Sequence, residues 1–293
     1  MKSWMPFEWI AALRFLREGR TQSLLIIVGV GVGVAVIVFM SALLSGLQAN
    51  LIKRTLTSQA HIVLLPPEEI ARPQNSDGNT ALNLQKQAQR LRSVDQWQQL
   101  RDRLKTWPEI AAVSPIASGP AFAVRGDANK AITLLGIEPE RYNRVISLAE
   151  RMQAGALRVG SGEAVIGIEL AKDLGAGVSD KLRLTTASGA TETLTITGLF
   201  DLGNKGVNAR NVYVGLRSAQ TLLDLVGGIS SFDLSLVDIY SAETLAQQLA
   251  AETGLQADSW IKTNAQFFTA LSSQRISSNV IRFFVGLSVA FGI

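Results

Sequence analysis

The chain has 293 residues, 47% of them hydrophobic and 18% charged, with a formal net charge of +4 and a mean hydropathy of +0.21. Its lysines and arginines are scattered, with no basic run interleaved with aromatics, which excludes the usual nucleic-acid surface. The absence of cysteine excludes disulfides, thiolate metal sites and a cysteine nucleophile.

In chain order, PFEWIAALRFLREG (6–19) reads as an amphipathic helix, with Phe7, Ile10, Ala11 and Arg14 on one side and Trp9, Leu13 and Leu16 near another. Trp4 and Trp9 suit the headgroup level, which makes residues 1–22 an elbow helix on the cytoplasmic leaflet. Ser23 to Leu47 then runs 25 residues without a charge. A hydrocarbon core about 30 Å thick needs roughly 20 apolar residues in a helix, so this segment is long enough to span it. It is too long for the apolar region of a signal peptide. Lys2, Arg14, Arg17 and Arg20 precede it against Glu8 and Glu18, which places the N-terminus in the cytoplasm by the positive-inside rule and the following domain outside. Arg14, Arg17 and Arg20 join Trp4 and Trp9 as membrane-interface residues. Gly29 and Gly33, Gly31 and Ala35, and Ser41 and Ser45 each have small-xxx-small spacing. That spacing lets helix backbones approach closely, so Gly29, Gly33, Ser41 and Ser45 are the expected helix-packing positions.

Residues 48–275 form the expected extramembrane domain, opened by an amphipathic extension over 48–58. HIVLL (61–65) reads as a buried strand. The Pro-, Gln- and Asn-rich stretch 66–94 reads as an insertion. Val94, Trp97, Leu100, Leu104 and Trp107 have helical spacing, ended by Pro108. Val113–Arg125 and Ala131–Ile137 read as two strands turning at Gly126–Asp127. Phe232–Tyr240 reads as a strand, Ala242–Glu252 as a helix capped by Gly254, and Leu255–Ile261 as a strand. These βαββ and βαβ stretches combine into an α+β sandwich of the ferredoxin-like kind. Between them, 140–227 is an inserted β-rich subdomain, with strands Arg183–Thr186 and Thr191–Thr197 about a Ser188–Gly189 turn and short helices near 163–175 and 217–226. Thr263 to Ile293 is one helical pattern, amphipathic then apolar, and 276–293 holds a stalk and the beginning of a second membrane helix. The expected fold class is membrane α-helical plus α+β.

No catalytic constellation is present. His61, the single histidine, heads a strand, where a packing role is the plain reading. HExxH, Walker A, GxSxG and CxxC are all absent. The glycine pieces at 160–162 and 175–177 do not match a phosphate loop. Glu163, Glu169 and Asp173, and Arg141, Arg144 and Arg151, read as solvated faces.

AALRFLREGR (11–20), the apolar helix, SGLQANL (45–51) and AHIVLL (60–65) together resemble the start of the MacB-type and Lol-type (lipoprotein-releasing) ABC transporter permeases. LLGIEPERY (134–142), GEAVIGIELAKDLGAGVSDKLRL (162–184) and TITGLFDLG (195–203) resemble further elements of that family. Ser179 stands where the family often has glycine, and the 66–94 insertion is larger than its pattern. The resemblance implies a porter-like α+β part with a smaller β-rich part outside the membrane, in an inner-membrane, multi-pass protein. It implies a dimer with a second copy or a paralogue, a cytosolic ATPase subunit holding ATP and Mg, and a periplasmic adaptor or lipoprotein as further partner. It implies no enzymatic activity and no cofactor in this chain, contact with membrane lipid and none with nucleic acid. ATP-driven motion would reach the outer domain through stalks near 48–58 and 263–280, for export, efflux or lipoprotein release. A membrane-anchored regulator of a periplasmic enzyme and a two-pass ligand sensor are the competing readings.

Overall fold

The computed structural model describes residues 20–67 and 92–266, together with Phe7, Arg14, Thr269, Ser273, Ile276, Asn279, Val280, Phe283, Phe284, Gly286 and Leu287. The leader 6–19 except Phe7 and Arg14, including Trp4, Trp9 and Arg17, lies outside the described residues, as do 68–91 and most of 267–293. The chain divides into two compact units, residues 1–53 with 265–293, and residues 54–264.

Helix α1 begins at Arg20 and ends at Ser58, and the part of it up to Lys53 belongs to the first unit. Within it Ile27–Leu47 has a mean hydropathy of 2.7 and none of it is buried. Those 21 residues rise about 31 Å as a helix, which matches a hydrocarbon core. Valine and glycine are poor helix formers in water, whereas an apolar surrounding would favour helix by penalising every unpaired backbone group.

The second unit contains ten strands. In chain order these are β1 (Ile62–Leu65), α2 (Trp97–Leu104), β2 (Ile110–Arg125), β3 (Ala128–Ile137), α3 (Pro139–Val145), a 3₁₀ turn (Leu148–Arg151), β4 (Met152–Gly155), β5 (Glu163–Gly167), α4 (Ile168–Leu174), β6 (Lys181–Thr186), β7 (Thr191–Phe200), α5 (Lys205–Arg210), β8 (Asn211–Gly215), α6 (Leu216–Leu222), β9 (Ser231–Leu236), a 3₁₀ turn (Ile239–Ser241), α7 (Ala242–Thr253), β10 (Gln256–Ser259) and α8 (Trp260–Thr263).

One sheet is antiparallel in the order β10-β1-β9-β2. Alternation buries Ile62 and Leu64 of β1 with Phe232 and Leu234 of β9 on one face. Helices α2 and α7 supply the buried residues Trp97, Leu104, Leu245 and Leu249. The base of the polar stretch is closed by the Arg92 guanidinium, which donates to the Pro67 carbonyl at 2.7 Å.

The rest is a barrel. From Ala117 onward β2 leaves β9 and pairs with β3. The ring then runs β3 to β8, β8 to β5, β5 to β7 and β7 to β6. It closes where β6 pairs with Ala121–Val124 of β2. Closure removes the open edges that a six-stranded sheet would otherwise present. The inward rows are apolar by strand alternation: Leu182 and Leu184, Leu194 and Ile196, and Val212 and Val214 are all buried. The barrel therefore extends past residues 140–227, because it borrows half of β2 and all of β3. β2 is long enough to serve both sheets.

Several boundaries differ from the sequence pattern for local reasons. The helix expected from Val94 begins only at Trp97, because the Val94 amide is committed to the Ile229 carbonyl at 2.8 Å. The strand expected through Tyr240 stops at Leu236, and the Asp238 carboxylate then accepts from the Tyr240 amide to start a turn. The strand expected through Ile261 stops at Ser259, whose hydroxyl caps α8 by accepting from the Lys262 amide at 3.0 Å. The region near 163–175 is a strand followed by a helix. The β2–β3 turn falls where expected, and Gly126 sits at φ 56, a conformation that residues with a Cβ reach only at a cost.

Candidate functional site

Three features of the chain could carry function: the apolar helix, a cleft in the second unit, and a polar cluster buried between sheet and barrel. Along α1, Gly29 and Ser45 are exposed and Gly33 and Ser41 are intermediate. Among the described residues nothing lies within 4 Å of where a Cβ on Gly29 or Gly31 would stand. The Ser41 hydroxyl donates to its own helix at the Ile37 carbonyl, 2.6 Å away. At about 100° per residue, the Gly29–Gly33 and Ser41–Ser45 pairs point about 120° apart, and Gly31–Ala35 lies about 80° beyond the second. The three pairs therefore point in different directions around the helix and form no single stripe. Arg20 begins α1 and Arg14 is an exposed helical position.

In the second unit a cleft of about 1510 Å³ is lined by the apolar Trp97, Ile137, Val159, Leu216 and Leu222 and by the charged Glu138, Glu140, Arg141, Glu192 and Arg217. Arg141 is held by an ion pair to Glu138. The Trp97 indole donates to the Gly227 carbonyl at 3.1 Å, and the Arg101 guanidinium lies 5.5 Å from the centre of its ring. The lining is therefore mixed, apolar and ionic.

The third feature was not singled out from the sequence. The hydroxyls of Tyr142 (α3) and Tyr213 (β8) lie 3.1 Å apart, both buried. Asp233 stands nearby on β9, directly across from Ser114 of β2. Asp233 is only half-buried, and desolvation by the surrounding chain raises its carboxyl to about 7. Burial also raises Tyr142 and Tyr213, and in each the nearby Asp233 charge adds to the rise. In the sequence SFDLSL an aspartate at an alternate position reads as solvent-facing. The chemistry of the cluster comes from α3 covering that face, a contact between segments far apart in the chain.

The remaining candidate residues have structural roles. His61 Nδ1 accepts from the Leu236 amide at 2.8 Å, and burial lowers its pKa. Glu163, Glu169 and Asp173 pair with Arg158, Lys172 and Lys130 on exposed surfaces. Among the described residues no group of three His, Cys, Asp or Glu could hold a metal ion. Arg125 spans from the barrel to the end of α4, donating to the Leu174 carbonyl at 3.2 Å and pairing with Asp180 at 2.8 Å.

The family model described as MacB-like periplasmic core domain matches residues 23–252. The chain belongs to the MacB-like periplasmic core domain family. That match takes in the apolar helix and the α+β domain as far as α7. The lipoprotein-releasing system transmembrane protein LolC of Neisseria meningitidis serogroup B is 24% identical over 194 residues, covering 61% of this chain and 47% of the relative. The corresponding LolE of Haemophilus influenzae is 24% identical over 257 residues, covering 82% and 58%. The chain spans about half the length of the curated relatives it matches. Among solved structures, the periplasmic region of MacB from Actinobacillus actinomycetemcomitans covers 74% of this chain and 95% of its own at 15% identity, with a TM-score of 0.46. The extracellular domain of the noncanonic ABC-type transporter YknZ from Gram-positive bacteria covers 57% and 89% at 16% identity, with a TM-score of 0.42.

Proposed function

We propose that this member of the MacB-like core domain family is the membrane anchor and outer domain of an ABC transporter permease subunit in a bacterial cytoplasmic membrane. The observation that carries the reading is the unbroken family match from Ser23 to Glu252, which joins an apolar helix to the domain that follows it. On this reading ATP is hydrolysed by a separate cytosolic subunit, and the permease works as a dimer with a second copy or a paralogue. The names of the LolC and LolE relatives favour lipoprotein release over efflux as the work done. The four-stranded sheet with α2 and α7 is then the ferredoxin-like porter part, and the barrel is the β-rich part.

The domain is suited to receive motion. Strands β1 and β10 are antiparallel neighbours, with Ile62 opposite Ser259. The Trp260 amide donates to the His61 carbonyl at 2.9 Å, and the Trp260 indole to the Ile239 carbonyl at 2.7 Å. A displacement at either of the domain's two chain connections is therefore shared with the other.

The absence of native cysteine allows a direct test of orientation. A Ser188→Cys variant, at an exposed turn, is expected to react with a membrane-impermeant maleimide in intact spheroplasts. An Arg14→Cys variant is expected to react only after lysis. The reverse pattern, or equal labelling of both, overturns the topology.

A further inference from the structure

The cleft beside Trp97 has no part in the function proposed above. It is lined from the starts of α2 and α3, the loop over 157–161, the β6–β7 hairpin, α6 and Gly227 of the loop that follows α6. That last loop, 223–228, is tied down on every side. The Leu225 amide donates to the Gln220 carbonyl at 2.8 Å, and the Gly228 amide to the Leu225 carbonyl at 3.0 Å. The Gln220 side-chain amide donates to the Gly228 carbonyl at 2.7 Å, and the Trp97 indole to the Gly227 carbonyl at 3.1 Å. Asp224 holds φ 56 within it, a left-handed conformation that costs a residue with a Cβ about 1 kcal/mol.

This fixed loop presents Val226 to water. At 84% exposure it is the most exposed large hydrophobic residue described in the second unit. A single exposed valine on a surface is ordinary. Here it adjoins Gly227, which lines the cleft, so an apolar group stands ready at the rim of a mixed groove on a loop that need not be ordered on binding.

Size and charge decide what the groove takes. At about 1510 Å³ it exceeds the roughly 300–1,000 Å³ of small-molecule sites. A hydrocarbon chain would strip water from its charged lining and return no hydrogen bond. Gln98, Ser161 and Ser218 add neutral hydrogen-bonding groups to the lining, which a peptide main chain can use. Arg141 is neutralised by Glu138. Near the lining, Arg101 is paired with Asp102 and Arg158 with Glu163. Among the described residues Glu140, Glu192 and, on the rim loop, Asp224 have no ion pair, and Arg217 of the lining has none either. Three uncompensated carboxylates against one guanidinium make the groove net acidic.

We propose that this cleft docks an extended segment of a partner protein that carries basic residues beside an apolar one. The apolar side chain packs on Val226, and the basic groups complement Glu140 and Glu192, which fixes the choice of segment more than its strength of binding. The inference goes beyond the transporter reading and rests on the cleft alone.

Fluorescence anisotropy tests it on the full chain in phosphatidylcholine nanodiscs, with empty nanodiscs subtracted. The probes are a labelled decapeptide of leucine, serine and lysine and its analogue with glutamate for lysine. The basic peptide is expected to bind about tenfold tighter than the acidic one. The chain's net charge of +4 would by itself favour the acidic peptide, so the expected preference runs against non-specific attraction. Glu140→Lys with Glu192→Lys is expected to reverse the preference, and Val226→Ser to weaken the basic peptide about tenfold. No binding by either peptide, equal binding of both, or a preference that the double variant keeps overturns the proposal. Wild-type affinity in Val226→Ser overturns the role of the rim. Should the double variant not fold, Glu140→Lys alone decides, since Glu140 is exposed: an unchanged preference there overturns the proposal.

Discussion

Replacing Gly167 by alanine is expected to destabilise the barrel by about 3 kcal/mol or more, a large share of a typical domain's 5–15 kcal/mol. A Cβ on Gly167 would stand 2.0 Å from the Asn208 carbonyl oxygen and 2.6 Å from that residue's carbonyl carbon and Cα. All three are backbone atoms, so no side chain can swing away. Helix α5 itself would have to move, and it is tied down. The Asn208 side chain donates to Asp201 at 2.6 Å and accepts from the Leu202 amide at 3.1 Å. Asp201 also accepts from the Gly203 amide, which is the main reason its carboxyl sits below the usual range. Moving α5 therefore breaks a partly buried polar network as well as the packing of β5. Gly203→Ala is the control, since nothing lies within 4 Å of its Cβ position and only its positive φ is at stake, at a cost of about 1 kcal/mol. Thermal unfolding of the two variants beside wild type checks this. Equal stability of Gly167→Ala and wild type would mean that α5 does not pack on β5 as described.

The second large effect is expected in the apolar helix. A Gly33→Asp substitution places a charge within Ile27–Leu47, where an aspartate near the centre of a membrane helix costs about 2.5–3.5 kcal/mol. The expected result is loss of the assembled complex from the membrane fraction. Gly33→Leu separates packing from insertion: hydropathy is kept, close backbone approach is lost, and the helix is expected to insert but fail to assemble. Ser41→Ala is expected to behave as wild type, because its hydroxyl donates within its own helix. Normal assembly of Gly33→Asp, read by native electrophoresis of membrane extracts, would remove the packing role of this position.

Elements defined by local chemistry were legible in the sequence. The β2–β3 hairpin follows from two apolar runs about Gly126–Asp127, and α7 from its apolar period and the left-handed Gly254 at its end. The strand–helix–strand stretches that supply the first sheet were legible because each is continuous in the chain, but the grouping of β3 with them was not borne out, since β3 pairs into the barrel. Closure of the barrel was not, because β6 pairs with β2 across some 60 residues of intervening chain and alternation alone does not say which strands meet. Strand β5, EAVIG, was hidden for a related reason: both of its faces are buried, so it lacks the alternation that marks a strand with one wet face. The buried Tyr142–Tyr213 pair was hidden because it joins α3 to the barrel, segments far apart in the chain. The family resemblance was legible because its motifs fall in order along nearly the whole chain, and the match over residues 23–252 bears it out.

The central claim is that this domain belongs to the membrane subunit of an ABC transporter. It is tested most directly by cross-linking mass spectrometry on the full-length protein in its own membrane. The expected result is a cytosolic ATPase linked to the cytoplasmic side of the chain, together with a lipoprotein or a periplasmic adaptor linked to residues 60–260. Recovery of the protein with no ATPase among its linked partners would contradict the claim and favour a membrane-anchored sensor built on the same domain.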